Sequence, residues 1–193
     1  MQPEHAFQIV QIAYWIALAT WFGVVLFLAL APPVILKTLQ DSKPILPDVL
    51  SVNLEGQHAS LLGGAIMRNL LEVFFRIELA CAGILLLTMI AQWLLIDLDG
   101  FNLFLPILRT AMFIAAVAFL VYDWRVVWPK VWKVREEYIE NADNPDIANP
   151  ALDEFDRYQA MSVMLLRNML FLLLGIILFS ANIRPPTVTL PGS

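Results

Sequence analysis

Three charged residues, Glu78, Arg109 and Arg167, fall inside long runs of otherwise apolar sequence. A charge buried along an apolar helix is costly and rare, and it marks either an ion pair or a path for protons or substrate. Glu78 and Arg167 lie one to three turns inside the second and fourth runs, at matching depth. Their opposite signs predict a buried ion pair that fixes helix register, with a relay or substrate contact as the alternative. Arg109, in the third run, has no carboxylate at its own depth. Its candidate partners are Asp97 or Asp99, Gln8 and Gln11, or lipid headgroups reached by snorkelling.

Arg68, Glu72 and Arg76 recur every four residues, which aligns them as a plus, minus, plus ladder on one helix face. A solvated salt-bridge stripe is the expected role, an anion port the alternative. The segment from Glu136 to Asp156 holds eight acidic residues and no basic one, and reads as a solvated acidic loop. Asp143 and Glu154 occupy the first and twelfth positions of a calcium loop, but Pro145, Ala148 and Ala151 stand where ligands and the turn glycine belong. His5 and His58 precede different apolar runs and are expected on opposite sides of a membrane, so they cannot share one metal. No metal and no cofactor is expected; His58 with Met67 or Met161 is the weak candidate. The chain has no glycine-rich phosphate loop, no HExxH and no Ser/His/Asp set that its topology would assemble.

The elements that position these residues follow from composition. Of 193 residues, 60% are hydrophobic and 15% charged, and the mean hydropathy is +0.72. Such a chain reads as an integral membrane protein rather than a soluble enzyme, and a net charge of −5 offers no footprint for nucleic acid. About 20 apolar residues cross a bilayer, and four segments qualify, near 7–31, 74–95, 103–122 and 161–183. The whole chain, 1–193, reads as one all-α, four-helix transmembrane domain. The first span is longer than a signal sequence and lacks a basic leader, so it is expected to be retained. Pro32-Pro33 should end it.

Helix 2 is expected to start near Ser60, and helix 4 at the Asn149-Pro150 cap, so helices 2, 3 and 4 extend beyond the bilayer. Pro129 should kink the end of helix 3. Trp124, Trp128 and Trp132 read as an interfacial aromatic belt. Lys37, Lys43, Arg125, Lys130, Lys133, Arg135 and Arg157 gather in the two larger connections, against Arg184 beyond the last helix. The positive-inside rule therefore predicts both termini outside, with an outer hairpin at Asp97–Gly100; the expected location is a bacterial inner membrane. Small residues at packing spacings, Ala13 and Ala17, Ala19 and Gly23, Ala111 and Ala115, suit close helix approach within the chain, in a homo-oligomer or against another membrane subunit.

Thr20-Trp21-Phe22-Gly23-Val24-Val25-Leu26-Phe27, continuing to Ala31-Pro32-Pro33-Val34-Ile35-Leu36, resembles the first-helix signature of the transmembrane protein 205-like membrane proteins. Trp128-Pro129 followed by basic residues, and Phe155, Ser162 and Asn168, are similar as well. The resemblance spans roughly residues 10 to 183 and extends distantly to the copper-resistance D (CopD) and HemJ-type proteins, which implies a four-helix bundle. Where the family often has a histidine shortly after that Phe, this chain has Tyr158-Gln159. The expected function is that of a non-catalytic accessory or assembly subunit. The alternatives are a haem- or copper-binding redox or transport protein and a small-solute transporter.

Overall fold

A computed structural model describes residues 3–44, 57–95 and 103–181. The expected outer hairpin at Asp97–Gly100, Ile183 at the end of the fourth span and Arg184 lie outside the described residues. Four long apolar helices form an up-and-down bundle: α1 (Pro3–Ser42), α2 (His58–Leu95), α3 (Phe104–Tyr122) continued by a π-helical turn (Asp123–Val127) and α4 (Trp128–Glu140), then α5 (Pro145–Ser180). All four are long and apolar enough to cross a membrane. Each buries one stripe at helical spacing, such as Tyr14, Leu18, Trp21, Val25 on α1 and Leu165, Met169, Leu173, Ile176, Ser180 on α5. Ile16, Leu87, Ile114 and Phe171 face outward and exposed. Helices apolar on both faces bury one against each other and leave the other to lipid, so the chain is a multi-pass integral membrane protein.

α1 packs on α2 and α5, while α3 and α4 pack on α5; α2 meets α3 only lightly. Tyr14, Gln92, Arg109 and Ser180 meet near one end, called here the terminal end. Gln57, Leu61, Arg135 and Tyr138 meet near the other, the loop end.

Two expectations about helix ends are corrected. α1 does not stop at Pro32-Pro33 but runs to Ser42. Leu36 and Leu39 of its last turns lie against α2 at Gly63, where a Cβ would come within 3.4 Å of Leu39, and this packing outweighs the missing prolyl donors. The helix ends where Lys43 takes a left-handed φ of 46°. α5 begins at the earlier of two Asn-Pro pairs: Asn144 caps the Asp146 amide at 3.3 Å, Pro145 opens the helix, and Pro150 lies inside it. Most of the acidic segment is therefore helical, and the calcium-loop register 143–154 is helix from Pro145 onward.

A widened turn lies just before Pro129, where the kink is expected. The prolyl ring would collide with the Arg125 carbonyl of an α-helix, and the chain instead bonds Trp128 N–H to Asp123 O, five residues back. Within the tryptophan row, Trp128 and Trp132 turn toward the bundle. Trp132 is buried, its ring is 5.0 Å from that of Trp128, and Trp128 stacks on Phe75 of α2 at 5.5 Å.

Candidate functional site

Glu78 is 1% exposed, yet its partner is not the expected arginine. Arg167 lies on the outer, exposed face of α5, two residues from both Leu165 and Met169 of the buried stripe, which is about 200° around the helix. The expected Glu78–Arg167 ion pair is absent for this angular reason.

The acidic group that shares the interior with Glu78 is Asp123, 8% exposed. The Phe75–Trp128 ring contact fixes their level. Three residues along α2 from Phe75 and five back along the other chain from Trp128 bring Glu78 and Asp123 within about 3 Å along the bundle axis. Ser162 of α5 donates its hydroxyl to Asp123 Oδ2 at 3.1 Å. The Trp21 indole lies beside Glu78, but neither Glu78 oxygen, nor Asp123 Oδ1, nor Trp21 Nε1 completes a hydrogen bond among the described residues. Two carboxyls, three of whose four oxygens lack a donor, thus lie at a similar level in the interior with no cationic partner among the described residues.

Sequence reading missed Asp123 because it stands at the end of the third apolar run, where a polar residue reads as the exit to water. Its helical register carried the signal. Arg109, Phe113, Ala116, Leu120, Asp123 and Val127 form one buried stripe, and the π-helical turn sets Asp123 at its first position. Such turns are frequent at functional sites.

Arg109 is buried as well, 1% exposed, so it does not snorkel to headgroups. Its guanidinium stands 5.3 Å over the Tyr14 ring and closes no hydrogen bond among the described residues. Asp97 and Asp99 lie outside them. Ser180 donates to Ile176 O at 2.6 Å, so the 2.5 Å contact with Tyr14 must carry the phenol's proton. Gln11, an expected partner of Arg109, instead accepts from Gln92 of α2 at 2.9 Å.

At the loop end the ladder is rearranged. Arg76 pairs with Glu72 at 2.6 Å, exposed as expected, but Arg68 reaches across to Glu136 of α4 at 3.3 Å. Arg68 and Arg135 both stack on Trp132, at 5.1 and 5.2 Å. Arg135 Nη2 donates to Leu61 O at 2.9 Å. Burial and then the neighbouring Arg68 push the Arg135 guanidinium below its usual range, which Glu136 partly offsets.

The small residues divide: Ala17 is in the core, whereas Ala19, Gly23 and Ala111 are exposed, and Ala13 and Ala115 are half-buried. His5 opens α1 and His58 opens α2, at opposite ends of the bundle. Among the described residues no group of three or more His, Cys, Asp or Glu is placed to hold a metal ion. Comparison with family models, with curated proteins and with solved structures gives no match to this chain.

Proposed function

We propose that this protein is a non-catalytic membrane protein that passes a proton or a small cation through its bundle, with Glu78 and Asp123 as the binding groups. The supporting observation is the pair itself: two buried carboxyls from α2 and the π-helical turn, without a counter-charge among the described residues. A structural ion pair supplies its own neutralisation. Carboxyls left without one need a proton or a cation, and such groups inside membrane bundles line relays and ion paths. The asymmetry of Lys and Arg further supports both termini on the non-cytoplasmic side, with the loop end in the cytoplasm. Kinship with the transmembrane protein 205-like family is part of the same proposal, since Trp21 and Trp128, which carry the resemblance, both face the bundle interior.

Labelling in intact membranes with dicyclohexylcarbodiimide, which adds to carboxylic acids in apolar surroundings, tests the pair. Peptide mass analysis should place the adduct on Glu78 or Asp123. Adducts confined to exposed acids such as Glu137 would contradict the reading.

Arg167 supports a second role, as an accessory subunit of a larger assembly. It stands exposed with Met164 and Phe171 on a span, where an outward charge must reach an interface or meet another chain. Gly23, with open space around it, offers a face of the same kind on α1. Gly23→Leu should leave the monomer folded and shift any complex on a native gel to a smaller species. A wild-type chain that runs as a monomer after every mild extraction would exclude this role.

A further inference from the structure

Two adjoining cavities of about 330 and 170 Å³ open between α1, α2, α4 and α5 at the loop end, and both are lined by Pro32, Gly64, Met67, Arg135, Phe155 and Gln159. Ligand pockets of about 300–1,000 Å³ are mostly apolar, with a few polar groups that fix orientation. Here the walls are apolar, and Leu28, Leu71, Trp128 and Leu166 carry the smaller cavity up to the membrane-spanning part of the bundle. Gln57 and Tyr138, hydrogen-bonded at 2.9 Å, stand at the far side.

In a chain of net charge −5, not one lining residue is acidic, and the one charged side chain is Arg135. Arg68, stacked on the same tryptophan, is already matched by Glu136. Arg135 has no ion pair among the described residues; it donates to the Leu61 carbonyl and stacks on Trp132. The guanidinium lies against the Gly64 backbone: a Cβ there would stand 2.6 Å from Arg135 Nη2, so a side chain at 64 would push the flexible end of Arg135 out of this position.

We propose that this cleft binds one anionic phospholipid of the adjoining leaflet, an acyl chain along Leu71, Trp128 and Leu166 and the phosphate on Arg135. Continuity with the membrane-spanning walls favours a lipid over a soluble anion, because a small anion needs none of that apolar surface. Basic pockets between transmembrane helices bind anionic headgroups in this way.

The test is tryptophan quenching of the full chain in phosphatidylcholine vesicles doped with brominated phosphatidylglycerol or, for comparison, brominated phosphatidylcholine. Trp128 and Trp132 line the cleft, so the anionic quencher should act at the lower mole fraction. Arg135→Gln should raise the half-quenching fraction of the anionic lipid about tenfold, as for loss of a charged hydrogen bond, and leave the neutral lipid's unchanged. Gly64→Ala, which keeps the charge but displaces it, should act in the same direction, and unaltered circular dichroism shows that each variant is folded. Equal quenching by the two lipids, or an anionic preference that survives both substitutions, would overturn the proposal. So would a preference abolished by millimolar glycerol phosphate, which would assign the site to a soluble anion.

Discussion

Glu78→Leu should make this protein more stable. The side chain is 1% exposed, neither carboxyl oxygen has a donor, and Asp123 adds a second acidic group nearby. A polar group buried without its hydrogen bonds costs about 1–3 kcal/mol in protein mutational data. A charged residue at the centre of a membrane helix costs about 2.5–3.5 kcal/mol on insertion scales. Leucine removes that cost in a core that already includes Trp21, Phe75, Ala82 and Leu85. The net gain should be about 2 kcal/mol, which for a chain of this size raises Tm by about 4–8 °C. Thermal unfolding in mild detergent, followed by circular dichroism, measures it. Were Glu78 half of a buried ion pair, its removal would strand an arginine and cost about 3–5 kcal/mol. A fall in Tm of that size would refute the reasoning. Arg167→Leu, on the outer face, should move stability by no more than about 0.5 kcal/mol and add to Glu78→Leu without coupling.

Tyr14→Phe removes the proton donated to Ser180 and should lower stability by about 0.5–1.5 kcal/mol in the same thermal assay; an unchanged Tm would show that this bond contributes nothing. Pro129→Ala restores the amide whose absence widens the turn at Asp123–Val127. The turn should then rewind to α-helix and rotate Asp123 away from Glu78, and a spin label at position 123 should report the altered environment.

The bundle was legible because the apolar runs are long and each buried stripe repeats at helical spacing. The mistakes came from reading residues one at a time. Pro32-Pro33 reads as a stop, but membrane helices carry prolines where packing such as that of Leu36 and Leu39 on α2 holds the turn. Arg167 matches Glu78 by depth and sign alone. Its rotation against Leu165 and Met169 already places it outside the bundle, and the same test on α3 places Asp123 inside. No periodicity reveals that Gly64 and Arg135, far apart in sequence, occupy one another's space, because that contact depends on how α2 meets α4.

Proton flux into liposomes carrying the purified chain, driven by an imposed membrane potential and read by an internal pH dye, tests the central claim most directly. The wild type should acidify the lumen above the leak of protein-free vesicles, and Glu78→Gln and Asp123→Asn should each return it to that leak while remaining folded. Potassium or sodium flux, measured in the same vesicles, covers a cation in place of the proton. Wild-type flux of all three ions at the level of empty vesicles, or flux that both substitutions leave unchanged, would contradict a conducting role for the Glu78–Asp123 pair.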